Sequence, residues 1–405
     1  MLLTFAITNY KGFRDKQEFN LVATSGSESL EHVYETDSAL KINKCACLVG
    51  PNGSGKTHLL EALHTFTTAI KSPEKVGDAH APFMLDSSSF EKPTEYEVLL
   101  FDTTNNRFIN YGFSIFRGNV IKEFLFSRNN KKSSKSQTVF VREDGSIKFT
   151  ARYKSLETLL SGTLSQSGLI ANYAQSLKND VLSHLYNWAK NLCMFRPSLY
   201  HKNSLKGIEE ILDSSTGDTS ASYTKFWNRQ LTKASSMLAS LSIPVNKLSV
   251  KRDHEGKAKL FISHKRNDGK PYDLSIDDAS DFFSKGSFAI IIMVIFFLIT
   301  DLPDEDITFI VDEYDGSLHH KLSLEMMSLL FKASSKIRQT IIATHDILLL
   351  DSGFRRDSIF FVEKSDDFSS HISRLSDFPI RKDAKISNKY LSSEFGALPK
   401  LLSGS

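Results

Sequence analysis

The sequence predicts an α/β fold with a mixed sheet, an antiparallel β-subdomain and a helical insertion, on three observations. Continuous apolar runs at Cys45–Val49, Ile307–Val311, Thr340–Ala343 and Ser358–Val362 read as strands buried on both faces. From Tyr96 to Arg142 the pattern alternates with period two, as an antiparallel meander does. Between these regions, residues 154–242 shift to helical periodicity. The expected division is an N-terminal lobe over 1–150, a helical insertion over 151–244 and a C-terminal lobe over 245–405.

Along the chain, Leu2–Tyr10 and Gln17–Val22 read as strands joined by a turn at Lys11–Asp15, and residues 23–43 as loop. A strand at 45–49 leads into a helix ending near Ile70. The meander strands are Tyr96–Phe101, Phe108–Ile115, Val120–Phe126 and Thr138–Arg142. Leu169–Phe195 reads as the strongest amphipathic helix, and Asp213–Ser222 as a polar break. Strands at Val245–Val250 and Lys259–Ser263 flank a Glu255-Gly256 turn. Phe288–Ile299 is apolar throughout and reads as a core helix, because a membrane span needs about 20 residues. Leu318–Lys332 reads as a helix between the last strands.

The 405 residues carry a net charge of +3, which neither demands nor excludes nucleic acid. Of three cysteines, Cys45 and Cys47 alternate along one strand, a poor geometry for a shared metal, so free thiols are expected. Polar and charged residues fill Met1–Arg14, so no secretory signal is expected and the cytoplasm is the expected location.

The chemistry begins at residues 50–57, Gly-Pro-Asn-Gly-Ser-Gly-Lys-Thr, a P-loop set between a strand and a helix. Asn52, Gly53, Ser54, Gly55, Lys56 and Thr57 are the expected phosphate cradle, since glycines let backbone N–H groups curl around an anion. Lys56 can reach the β- and γ-phosphates of ATP, and the Thr57 hydroxyl can ligate Mg²⁺. Asp312 and Glu313 end the strand 307–311, read as lying beside the P-loop. Asp312 is the expected second Mg²⁺ residue, through water, and Glu313 the general base. His345 ends the neighbouring strand and is the expected phosphate sensor. Ser284 and Gly286 open the apolar helix, where an anion site forms.

The order of P-loop, long insertion, Ser-x-Gly-[Ser/Thr] signature, Asp-Glu and Thr-His resembles ABC-type ATPases of the SMC, RecF and OLD kind. More closely, the chain resembles small stand-alone AAA ATPases of bacterial abortive-infection and restriction-linked operons, the AbiL and RloA types. That likeness lies in Phe5–Arg14, Pro82–Val98, Asp312–His319, Ala343–Asp351, Arg355–Leu375 and Tyr390–Leu398. The resemblance implies an ABC-type P-loop ATPase head and a homodimer or higher even oligomer. In it, Gly53, Gly55, Lys56 and Thr57 of one copy face Ser284 and Gly286 of another across ATP, and Asp315–Leu318 crosses the interface. It also implies control of a separate effector, a nuclease or toxin, in phage defence. Two other readings stay open: a DNA-repair or DNA-tethering ATPase using Lys131, Lys132, Lys135, Arg355 and Arg356, and an ATP-binding module with negligible turnover. The acidic residues Glu363, Asp366, Asp367 and Asp377 read as solvated loops.

Overall fold

The computed structural model describes residues 1–24, 29–131, 133–160, 164–196, 221–300, 306–315, 318–332, 337–381 and 384–396. They fall into two compact units, one of Met1–Met194, Glu305–Ile310 and Ile337–Ser405, the other of Phe195–Asp304 and Val311–Lys336.

The first unit contains the predicted antiparallel sheet. Its strands are β1 (Leu2–Thr8), β2 (Gln17–Asn20), β6 (Thr94–Asp102), β7 (Arg107–Phe116), β8 (Asn119–Asn129), β9 (Gln137–Glu143) and β10 (Ser146–Phe149). The order is β10-β9-β8-β7-β6-β1-β2. The N-terminal strands therefore extend the meander, with Phe5 opposite Phe19 on one side and Val98 on the other. Residues 33–43, expected to be loop, instead form a short hairpin of β3 (Val33–Glu35) and β4 (Lys41–Asn43).

The mixed sheet has the order β11 (Leu192–Phe195), β15 (Ile307–Val311), β16 (Ile337–Thr344), β5 (Cys45–Val49), β17 (Ile359–Lys364), β18 (Ser370–Arg374). Strand β5 runs parallel to β16 and β17, and β18 turns back antiparallel. All five residues of β5 are buried, as its unbroken apolar run requires. The strand ending in Asp312 is therefore not the direct neighbour of the P-loop strand. The strand ending at Thr344, next to His345, lies between them.

Helix α1 (Lys56–Lys71) buries Leu59, Leu60, Leu63, Phe66 and Ile70. Phe66 stacks on Phe113 at 5.4 Å and meets Trp188 of helix α2 (Asp180–Lys190) at 6.4 Å. The Asn172 amide donates to the carbonyls of Ala69 and Ile70 at the end of α1 (2.7 and 2.9 Å). Residues 151–194 thus belong to the core of the first unit and are not a separate helical insertion. The expected helix 169–195 is also broken. Lys178 takes a left-handed φ of 47°, Asn179 caps a new helix through Val181 and Leu182, and the segment ends as β11.

In the second unit, helix α3 (Ala221–Ser240) packs on the antiparallel sheet β12 (Lys247–Arg252), β13 (Ala258–Lys265), β14 (Pro271–Ser275). Ser235 Oγ and Asn228 Oδ1 of α3 accept the N–H groups of Leu248 and Val250 (2.8 and 2.9 Å). Helix α4 (Lys285–Thr300) follows, its apolar run buried almost all round, and α5 (His320–Lys332) completes the unit. The expected boundary at 244/245 therefore falls inside one packed body, and the expected C-terminal lobe is shared between the two units. Most of the expected break at 213–222 lies outside the described residues. Among the described residues, no helix is long and apolar enough to cross a membrane.

Candidate functional site

The phosphate loop is shaped by close backbone approach. A Cβ at Gly50 would stand 2.1 Å from the Val362 carbonyl oxygen of β17, and one at Gly55 would stand 2.4 Å from Ser370 Oγ of β18. Gly55 also has φ 116°, which side-chain-bearing residues rarely adopt, and it is the residue from which α1 starts. Only glycine at these two points lets the loop lie flat against the β17–β18 hairpin. Asn52 and Gly53 are exposed at the tip, while Ser54, Gly55 and Lys56 are buried.

The Lys56 ammonium donates to the carbonyls of Gly50 (2.7 Å) and Pro51 (3.0 Å) and lies 3.4 Å from Nδ1 of His345. Adjacent parallel strands, in register from Thr340–Cys45 to Thr344–Val49, bring these two residues together. The Ser54 hydroxyl is buried without a hydrogen-bond partner. An orphaned hydroxyl, a cradle no Cβ can enter and a buried ammonium at a helix start fit a phosphate group.

His58, one turn into α1, was not singled out by sequence reasoning. Its Nδ1 and Ser370 Oγ are both buried without partners beside Gly12, and burial lowers the His58 pKa, keeping the ring neutral. Burial pushes the Cys45 thiol up to about 12 and the Cys193 thiol to about 11, so these two are inert.

The motifs at 5–14 and 82–98 meet at Asn9. Its amide donates to the carbonyls of Ser89, Lys92 and Pro93, and its Oδ1 accepts the Phe83 N–H (3.0 Å).

Asp312, Glu313, Ser284 and Gly286 belong to the second unit. Asp312 is 1% exposed. Its N–H donates to the Phe195 carbonyl (2.9 Å), which sets Arg196 beside it. Arg196 then donates Nε (2.9 Å) and Nη2 (2.8 Å) to Asp312 Oδ2. Oδ1 accepts the Glu313 N–H at 3.1 Å. Glu313 is held at φ 54°, a conformation costing about 1–2 kcal/mol for a residue with a Cβ. Strain of this kind concentrates at working sites. Behind it, the Tyr314 hydroxyl donates to the Ser323 carbonyl of α5 (2.6 Å). Arg196 carried no sequence signal, being a lone arginine at a strand end 116 positions from its partner.

Ser284 caps α4. Its exposed hydroxyl accepts the Ser287 N–H (3.2 Å) and donates to Ser287 Oγ (3.0 Å). Gly286 is buried in the first turn. Gly316 and Ser317 lie outside the described residues, as does Lys132.

The basic surface considered for DNA loses Arg355, which is 2% exposed and paired with Asp357 at 2.8 Å. Arg356 is turned onto the carbonyls of Ile380 and Arg381. Lys131 and Lys135 remain exposed. Among the described residues no group of three or more His, Cys, Asp or Glu could hold a metal ion.

Taken together, the strand order, the P-loop between β5 and α1 and the strand ending in Asp-Glu define the fold of an ABC-type α/β P-loop ATPase head. Residues 45–351 match the family described as "AAA domain, putative AbiEii toxin, Type IV TA system", and the chain belongs to that family. The AbiL and RloA types named by the resemblance are finer than this match. No curated protein matches. Among solved structures, the chain is similar to the SMC head domain from Thermotoga maritima, with 12% identity over 92% of this chain and 98% of that one, at a TM-score of 0.43. It is also similar to an SMC head bound to the C-terminal winged-helix domain of ScpA, with 14% identity, 92% and 96% coverage and a TM-score of 0.46. A third likeness is to a Pyrococcus furiosus SMC head with an extended coiled coil bound to the ScpA C-terminal domain, with 12% identity, 97% and 99% coverage and a TM-score of 0.46.

Proposed function

We propose that this chain binds and hydrolyses ATP, closes around it as a homodimer or higher even oligomer, and so regulates or scaffolds a separately encoded effector, a nuclease or toxin, in bacterial phage defence. The observation that carries the reading is the meeting of Lys56 and His345 at the ends of adjacent parallel strands, 3.4 Å apart, over a loop built for phosphate. The family's description as a toxin of a type IV toxin–antitoxin system supports the defence setting.

In this reading the loop N–H groups and Lys56 bind the β- and γ-phosphates, and His345 contacts the γ-phosphate. Glu313 takes the proton of the attacking water. Thr57 and Asp312 would hold Mg²⁺, which would neutralise charge on the phosphates. Ser284 presents its hydroxyl, and Gly286 its helix turn, to the ATP of another copy, as the resemblance implies.

The test is Glu313→Gln, which keeps the hydrogen-bonding shape and removes the base. With ATP it should run as a dimer by light scattering and co-purify from native cells with a nuclease or toxin. A protein that stays monomeric with ATP, or recovers only itself, contradicts the dimer or effector part respectively.

A further inference from the structure

We propose that Arg196 locks the Asp312 carboxylate and must release it before a divalent cation can load. The proposal rests on the reading of Asp312 as the cation-holding carboxylate.

Two N–H groups of one guanidinium occupy Oδ2 at 2.9 and 2.8 Å, and the Glu313 N–H occupies Oδ1 at 3.1 Å. Both carboxylate oxygens are therefore engaged, and the single negative charge is already balanced by a fork-shaped cation. A hydrated Mg²⁺ needs the same oxygens. Placing it beside the guanidinium would also set two cations against one carboxylate in a nearly dry site, where like charges repel strongly.

The two groups are mobile to different degrees. Asp312 is 1% exposed and its backbone is tied to Phe195. The Arg196 side chain is 18% exposed, and so has an exit to solvent. The arginine is the member that can swing away. Until it does, it offsets part of the cost of burying the carboxylate. Arg196 is thus a positioning residue acting through Asp312.

A purely structural clamp and a lock predict opposite signs. A clamp holds the carboxylate ready, so its loss weakens cation binding. A lock competes, so its loss strengthens binding.

The experiment measures free Mn²⁺ by electron paramagnetic resonance during titration of the full chain with a non-hydrolysable ATP analogue. Arg196→Ala should lower the Mn²⁺ midpoint by about ten-fold or more, the scale of one charge-assisted bond. Arg196→Lys keeps the charge but not the two-point fork, and should lower it about two-fold. Should the alanine form not fold, the lysine form decides. An unchanged or raised midpoint in the folded variant overturns the lock. Asp312→Asn should abolish specific Mn²⁺ uptake. If it does not, the assignment of Asp312 itself fails, and the lock falls with it.

Discussion

The phosphate loop of the first unit is shaped by the close packing of its glycines, whereas the Asp312 carboxylate of the second is held by an ion pair with Arg196. At the loop, Gly50 and Gly55 press against β17 and β18, and Lys56 rests on the loop's own carbonyls. At Asp312, a guanidinium from the end of β11 occupies the carboxylate, and Glu313 is kept at φ 54°. The loop's shape depends on close packing that only glycine permits at Gly50 and Gly55. The Asp312 ion pair depends on a residue 116 positions away in sequence. The difference teaches where control could reside: the loop's shape follows from its glycines, whereas the Asp312 carboxylate is held by one ion pair, which the proposed lock would have to open.

Substitutions at four positions probe this contrast. Lys56→Ala removes the one side-chain charge on which the backbone cradle relies. Turnover should fall by at least about 10²-fold, the scale of losing one preorganised electrostatic contact, and ATP-dependent crosslinking of two copies should vanish. A Lys56→Ala protein that still closes on ATP would show that the loop is not the organising element. Gly50→Ala attacks the backbone itself. Because the obstructing atom is the Val362 carbonyl oxygen, at 2.1 Å from the added Cβ, relief requires main-chain movement. Chemical denaturation should show a loss of about 2–3 kcal/mol. No measurable loss would mean that the loop does not lie against β17.

Glu123 offers a comparison to Asp312 inside the first unit. It too is buried near an arginine, Arg142 at 3.9 Å, and it accepts from Tyr111 and from the N–H groups of Ile170 and Ala171. Burial outweighs these bonds and raises its pKa from 4.5 to about 6. A carboxyl with a raised native pKa contributes its stability in full below the unfolded value and loses it as pH rises through the native one. Relative to Glu123→Gln, the wild type should therefore lose about 2 kcal/mol as pH rises from 4.5 to beyond 6. A flat difference across that window would show that the Arg142 charge offsets the burial of Glu123.

The smallest effect concerns Glu313. Glycine there should be about 1 kcal/mol more stable than alanine, since only glycine takes a left-handed conformation without strain. Equal denaturation midpoints would mean that the φ of 54° is not retained.

How much of this was legible in the sequence follows from the same contrast. The P-loop strand, its helix and the meander announce themselves through local patterns: an apolar run before glycines, then alternation with period two. The parallel order that puts His345 between the two motif strands is a tertiary choice, and spacing along the chain does not encode it. The stretch from Leu169 to Trp188 showed its apolar face plainly, yet nothing local says that this face covers α1. The boundary drawn at residue 151 therefore cut through a packed core. Short β3 and β4 gave too few residues for alternation to show. The Arg196–Asp312 contact, and the burial of His58 and Ser370 beside Gly12, involve residues of ordinary type far apart in sequence, and no pattern marks them. Arg355 looked like surface charge because its partner Asp357 was not recognised as buried with it.

The most direct test of the account is steady-state phosphate release by the wild type and by Glu313→Gln, with ATP affinity measured on both. The account predicts release by the wild type, a fall of about 10²- to 10⁴-fold in the variant, and ATP binding that survives the change. An unchanged rate in Glu313→Gln would contradict it, as would a wild type that binds ATP and releases no phosphate.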